Sequence, residues 1–197
     1  NDNKTKILVI GNPRIVKKSS VNTIKIGDEN VAPIDSAKNI GVTLDSNLSM
    51  REQINSVCRQ CYLHLRHISQ IRKYLTEEAA ATLARSLILS KLDYGNGLLY
   101  GLPDCALDKL QRIQNHAAKV VMRKKKHDHV TPLLKHLHWL PVKQRIDYKI
   151  CLLTYKVLDG KAPQYLKDLI HVYEPDKTLR SGSKSLLEEK RTRLKGS

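Results

Sequence analysis

Cys58, Cys61, His64 and His67 place a metal-ligand residue type at every third position, and thiolates with imidazoles are a ligand set that zinc takes. The spacing works against that use. On a helix each three-residue step falls about 60° short of a full turn, so Cys58 and His67 end about 180° apart and cannot close a tetrahedron around one ion. Structural zinc sites draw their ligand pairs from separate elements. The four residues are therefore assigned as buried thiols and surface imidazoles. His127-Asp-His129 and His136-x-His138 bring imidazole and carboxylate together, a combination able to do acid–base work. They lie beside a basic run and at a helix start, where Asp128 or Thr131 reads as a cap and the histidines as structural or phosphate-facing groups. Neither Gly-x-x-x-x-Gly-Lys-Ser/Thr, nor Gly-x-Gly-x-x-Gly, nor Gly-x-Ser-x-Gly occurs. Nucleotide-hydrolase, dinucleotide and serine-hydrolase chemistries lose their main support.

The strongest chemical signal is charge. The 197 residues hold 35 Lys and Arg against 19 Asp and Glu, a net charge of +16. Arg59, Arg66 and Lys73 recur every seventh residue and drift only about 20° per step, so they form one basic stripe on a helix. Ile54, Cys61, Ile68 and Leu75 repeat with the same period two residues along, about 200° round, which makes them the opposite, apolar face. Lys109, Arg112, His116, Lys119 and Arg123 form a second stripe, opposed by Leu107, Leu110, Ala117 and Val121. An ordinary solvated helix face mixes in acids at i±4; these stripes carry almost none. Two single-sign stripes point to a polyanion, above all a phosphate backbone. With no Phe in the chain, a stacking platform for bases is not expected.

The elements that position the stripes follow from local pattern. At 41% hydrophobic the chain can bury a core, and its apolar runs fall far short of the roughly 18 residues a membrane span needs. Four cysteines without a hydrophobic leader predict reduced thiols and an intracellular, nuclear or cytoplasmic, location. The start at Asn1 rather than Met suggests a piece of something longer. Ile7 to Ile10, Val21 to Ile26, Val31 to Ile34 and Lys38 to Leu44 read as strands, with Gly27 to Asn30 as a turn, so residues 1–45 are expected to be the edge of a sheet. Ser49 with Glu52 has the form of a capping box for a helix to about Tyr74. Thr76 caps a second helix to about Tyr94, and Pro103-Asp104 opens a third to about Arg123. The run Arg123 to Lys126 breaks the pattern as a linker. Thr131-Pro132, Pro141 and Pro163 each open a further helix, the second ending near Gly160 and the third at Ile170. The tail from Lys177 to Ser197, with seven basic and two acidic residues, is expected to be disordered until it meets a partner. No fixed-period repeat is present.

Several strings in fixed order carry a family likeness. Asn39-Ile-Gly-Val-Thr-Leu-Asp45, Tyr74-Leu-Thr76, Lys91-Leu-Asp-Tyr94, Gly101-Leu-Pro103, Leu110-Gln-Arg-Ile-Gln-Asn-His-Ala-Ala118, Leu137-His-Trp-Leu-Pro141 with Arg145-Ile146, Ala162-Pro-x-Tyr-Leu166 and Leu179-Arg-Ser181 together resemble the C-terminal part of LINE-type, non-LTR retrotransposon reverse transcriptases of the jockey and chicken-repeat kind. The likeness spans about residues 1–181. It implies that Asn1-x-x-Lys4-Thr5 follows the polymerase aspartate motif, with Lys4 near the incoming triphosphate. It implies further that Lys38 to Asp45 is the primer grip and that the helices from Ser49 to Arg123 are the thumb, which holds the template–primer duplex by its backbone. The remaining helices resemble a C-terminal extension of undefined role.

One departure decides what the chain is expected to do. Enzymes of this kind hold two Mg²⁺ on palm aspartates, two of them adjacent. The twelve aspartates here include no adjacent pair, so Mg²⁺ and polymerisation are expected only of a full-length parent. The expected fold is α+β and mostly α: a β-rich palm remnant over 1–45, a helical thumb over 46–123, a basic linker over 124–130, a helical extension over 131–176 and the tail over 177–197. The expected function is that of a truncated reverse transcriptase, not an enzyme by itself, keeping the thumb and primer-grip surfaces. Its expected contacts to template–primer duplex or RNA–DNA hybrid are Lys4, Lys38, Arg59, Arg66, Lys73, Lys109, Arg112, Lys119, Arg123, Lys124, Lys125 and Lys126. The missing palm and fingers are a second expected partner, and a membrane is not. The alternatives are a relic or protein-interaction module, and a generic cationic nucleic-acid or chromatin protein.

Overall fold

The structure, a computed structural model, describes residues 5–12, 14, 22–27, 29–173, 187 and 188. Lys4 and all of the basic tail except Leu187 and Glu188 lie outside these residues, as does the start of the strand expected from Val21. The fold is α+β and mostly helical. The chain divides into two compact units between Asp147 and Tyr148. The Arg123 to Lys126 run, expected as the divide, lies inside the first unit.

Strands β1 (Ile24–Ile26) and β2 (Glu29–Val31) form one antiparallel pair, and β3 (Ser36–Asn39) and β4 (Val42–Asp45) a second, separate one. The expected turn at Gly27 to Asn30 is tighter, because Ile26 already pairs with Glu29. The expected strand at Ile7 to Ile10 reduces to one bridge, Ile7 to Pro33. Asn39 pairs with Val42, leaving Ile40 and Gly41 as a two-residue turn with φ of 45° and 79°. Such a turn needs positive φ at both positions to match the strand twist. Gly41 takes this without cost, whereas a β-branched residue at Ile40 is strained there. The Tyr94 hydroxyl donates to the Ile40 carbonyl at 2.6 Å and holds the turn in place.

Helix α1 (Arg51–Ile71) is continued by a 3₁₀ turn, Arg72–Tyr74. Its start corrects the capping-box expectation. Met50, in a left-handed conformation, occupies the cap position, and the Ser49 hydroxyl makes only a 3.4 Å contact to the Arg51 N–H. The Asp45 carboxylate, at the end of β4, replaces the box: it accepts from the backbone N–H of Ser49 and Met50 at 2.8 Å each and of Asn47 at 3.2 Å. Burial alone would raise the Asp45 pKa, but these bonds and the Ser49 hydroxyl outweigh it and hold the carboxyl below its ordinary value. A carboxylate with a lowered folded pKa stabilises the fold above its unfolded value near 4 and loses that contribution as pH falls through the folded value. Asp45→Ala is expected to cost about 1–2 kcal/mol at neutral pH. Chemical denaturation at pH 7 and pH 3 checks both parts, since the gap between variant and parent should narrow in acid.

Helix α2 (Glu77–Ala84) is capped by Thr76, whose hydroxyl accepts from the Ala79 N–H at 3.2 Å. It passes through a π-helical turn, Arg85–Leu89, into α3 (Ser90–Asp93). The wider turn allows the adjacent Ile88 and Leu89 both to be buried. Helix α4 (Asp104–Val121) starts at Pro103 and ends in a Schellman arrangement, with Arg123 at φ 51° and the Lys124 N–H on the Lys119 carbonyl. Helices α5 (Thr131–His136), α6 (Val142–Leu158) and α7 (Gln164–Lys167) fall close to their expected places. Asp128 caps no helix; it accepts from the Lys125 N–H at 2.7 Å and closes the turn of the basic run. Helix α6 crosses from one unit into the other.

The core of the first unit forms around α1 and α4, with Ile54, Cys61, Leu65 and Ile68 packed among Leu107, Leu110, Ile113, Ala117 and Val121. Three ties join segments far apart in sequence. Gln114, fully buried, donates to the Leu140 carbonyl at 2.8 Å; Gln111 accepts from the Val142 N–H at 2.8 Å; and Arg145 grips the Asp93 carboxylate with two nitrogens. Among the described residues no helix is long and apolar enough to cross a membrane.

Candidate nucleic-acid interface

The two basic stripes lie side by side. Lys109 on α4 reaches Asn55 on α1 at 3.4 Å, and the rings of His116 and Tyr62 meet edge to face at 6.3 Å. Both contacts advance by seven residues along both helices, so α1 and α4 run parallel and in register. Asn55, Arg59, Tyr62, Arg66, Ser69 and Lys73 follow one another at alternating four- and three-residue steps, as do Lys109, Arg112, His116, Lys119 and Arg123. Each set is one row on its helix, and the Asn55–Lys109 and Tyr62–His116 contacts make the rows neighbours. From Asn55 to Lys73 the face runs about 27 Å at 1.5 Å per residue.

Not every cation in these rows is free. Arg59, Arg66, Lys73 and Arg112 are exposed, as are Lys109 and the Lys124 to Lys126 run. None of these groups is in an ion pair among the described residues. Lys73 also lies over the Tyr74 ring, 4.8 Å from its centroid. Lys119 is half-buried and donates to the Lys126 carbonyl. Arg123 turns toward α1 and donates to the carbonyls of Arg72, Lys73 and Leu75 at 3.2–3.4 Å. These two cations are partly occupied in holding the fold.

Arg72, which is not among the expected contacts, is the buried partner of that arrangement. Only 8% exposed, it donates to the carbonyls of Val120 and Val121 at the end of α4 and to Leu75. Parallel helices bring two C-termini together, each with a partial negative charge and unpaired carbonyls. Arg72 closes the end of α4, and Arg123 closes the end of α1. Burial lowers the Arg72 pKa, the nearby Arg123 adds to the lowering and Glu77 opposes it. The signal was in the spacing: Cys61, Leu65, Ile68 and Arg72 share one helix face, so Arg72 stands in the apolar seam.

Lys38 lies apart from the stripes, on the β3–β4 hairpin. Across from it are Gln53 and Gln60 of α1 and Ser90, Lys91 and Tyr94, and together they line an open polar cleft of about 370 Å³. Lys91 donates to Gln60 at 2.9 Å, and Gln53 accepts from the Thr43 N–H at 2.9 Å. The exposed Lys38 and the half-buried Lys91, with amide groups beside them, suit a phosphate oxygen. Lys91 was not among the expected contacts.

The ladder of Cys58, Cys61, His64 and His67 winds from the interior to solvent. Cys61 is fully buried, Cys58 and His64 half-buried and His67 exposed. Burial, with the neighbouring Cys58, pushes the Cys61 thiol up to about 11, which makes it inert. Among the described residues no three His, Cys, Asp or Glu side chains form a metal-holding group. His136 pairs with Glu77 at 3.0 Å.

Comparison with known protein families, curated proteins and solved structures gives no match to this chain.

Proposed function

We propose that the chain binds nucleic acid through its sugar–phosphate backbone, as the thumb and primer-grip part of a LINE-type reverse transcriptase would. The observation that carries this reading is the parallel register of α1 and α4, which sets Arg59, Arg66, Lys73, Lys109 and Arg112 on one face with no carboxylate among the described residues paired to them. The Lys38–Lys91 cleft supplies a second place for a phosphate on the hairpin side. Several of the strings that carry the family likeness hold one another: Tyr94 with Ile40, Asp93 with Arg145, and Gln114 with Leu140.

In this proposal the chain is no polymerase by itself. Without adjacent aspartates it lacks the groups that would place two Mg²⁺ ions on a triphosphate. Its partner is template–primer duplex or RNA–DNA hybrid in the nucleus or cytoplasm, together with a palm and fingers supplied by a longer protein. The test is binding of the purified chain to RNA–DNA hybrid, DNA duplex and heparin across a salt series, with a primer-extension assay in Mg²⁺ alongside. Preference for the hybrid, a steep salt slope and no extension are expected. Equal affinity for all three would reduce the chain to a generic cationic protein, and extension would overturn the non-catalytic reading.

A further inference from the structure

All eight tyrosines lie at the surface, from 45% exposed at Tyr173 to 77% at Tyr74. The absence of Phe argues against a stacking platform for bases, but tyrosine rings are present and open. They are most regularly arranged on the part of α6 that belongs to the second unit. Tyr148 and Tyr155 are 59% and 62% exposed. Seven residues apart, they stand in one row about 10.5 Å apart along the helix axis. Lys149 and Lys156, each the next residue, make a second exposed row with the same step, about 100° round the helix. The opposite side holds Ile150, Thr154 and Val157, which are half-buried or buried. The helix is therefore buried along that side and presents rings and ammonium groups away from it, with the half-buried Leu152 between the two rows.

The charge on this surface selects the occupant. No acid occurs between Tyr148 and Leu158, and neither lysine is in an ion pair among the described residues. The first acid after them, Asp159, is paired with Lys161. In sequence the positive charge continues, with seven basic and two acidic residues from Lys177 to Ser197. A row of cations for phosphates beside a row of rings for bases is the combination that binds single strands without sequence preference. A duplex cannot use the rings, because the faces of its bases are already stacked on one another.

We infer that the second unit binds single-stranded nucleic acid, with bases stacked on Tyr148 and Tyr155 and phosphates held by Lys149 and Lys156. This site is distinct from the α1–α4 face and needs unpaired bases rather than a duplex.

The test compares a homopolymeric strand with an abasic strand of the same length and charge, binding the full 197-residue chain at salt high enough to weaken phosphate contacts. The base-bearing strand is expected to bind roughly 5-fold or more tightly per ring engaged. The double variant Tyr148→Leu/Tyr155→Leu keeps apolar bulk without an aromatic face and should lose that preference, whereas Tyr148→Phe/Tyr155→Phe should keep it. Lys149→Glu/Lys156→Glu should weaken both strands alike. Because these side chains are exposed, the variants should melt with the parent. Equal binding of both strands by the parent, or an unchanged preference in the leucine variant, would overturn the proposal. Loss of self-association or of a protein partner in the leucine variant, without a base effect, would do the same. Duplex binding measured on the same variants reports on α1 and α4 separately, so failure here leaves that reading standing.

Discussion

Reversing Arg59, Arg66 and Arg112 together to Glu is expected to weaken duplex or hybrid binding by about two to three orders of magnitude near 50 mM salt and to flatten the salt dependence. Each phosphate contact contributes a slope of about 0.9 in log affinity against log salt, so three lost contacts should lower the slope by about 2 to 3. These three are the sharpest probes because each is exposed, none is in an ion pair among the described residues and they sample both helices. Exposed substitutions of this kind change stability by about 0.5 kcal/mol or less, so a loss of affinity would not report unfolding. Lys135→Glu, on α5 and outside both rows, removes the same charge at one site and should leave the slope within about 0.3 of the parent. Equal effects of equal charge changes anywhere on the molecule would show attraction to a cationic protein as a whole, with no defined face. Lys119 and Arg123 are poor probes of the same idea, since their contacts to Lys126 and to Arg72, Lys73 and Leu75 make any variant a stability variant as well.

The period of charge and apolar residues made the two stripes legible, because side-chain direction on a helix is fixed by count alone. Thr76, Pro103 and Pro163 marked helix starts for the same local reason: a hydroxyl or a missing N–H acts within one turn of its own position. What the count could not give was the parallel pairing of α1 with α4. That depends on the return path through α2, the π turn and α3, and no local pattern encodes it. The Ser49–Glu52 signature misled because a longer-range acceptor competes with it: Asp45 reaches the same N–H groups from the end of a strand, and with φ 55° at Met50 the chain enters the helix past Ser49. Lys91 was invisible as a candidate for a similar reason, since its cleft exists only once the hairpin lies against α1. The strand expected at Ile7 to Ile10 rested on apolar content. An apolar run need not pair, and here Ile7 makes a single bridge, Leu8 and Val9 are half-buried and Ile10 is exposed.

Arg72 and Gln114 teach the complementary lesson. Both occupy apolar seam positions, Arg72 following Cys61, Leu65 and Ile68 and Gln114 following Leu107 and Leu110. A polar residue in a seam has to be hydrogen-bonded to be tolerated, and each is: Arg72 to helix-end carbonyls, Gln114 to Leu140. Such a residue marks the point where a distant segment docks. The period locates it, and only the three-dimensional path identifies its partner.

Removing that docking group at Arg72 is expected to destabilise the fold far more than any change in the exposed rows. Arg72→Met keeps the length and apolar stem of the side chain but leaves the Val121 carbonyl without its donor and takes one donor each from Val120 and Leu75, which keep bonds from Arg123. Removing a charged donor from a buried carbonyl costs about 1.5–3 kcal/mol, a substantial share of the roughly 5–15 kcal/mol that holds a domain together. Arg72→Lys should recover less than half of this, because one ammonium cannot span the ends of two helices as a planar guanidinium does. Arg66→Met, one position along the exposed row, should change stability by about 0.5 kcal/mol or less. Urea unfolding of the three variants separates the cases, and a midpoint for Arg72→Met equal to that of Arg66→Met would remove the two-arginine closure from the account of stability. The same variant bears on function, since Arg123 is anchored on the Arg72 carbonyl. Fraying at this end would loosen the Lys124 to Lys126 turn while leaving Arg59 and Lys109 in place at the other. Nucleic-acid affinity should then fall by less than in the charge-reversal triple even where stability falls by more, and that inequality distinguishes a residue that holds the binding face together from the residues that form it.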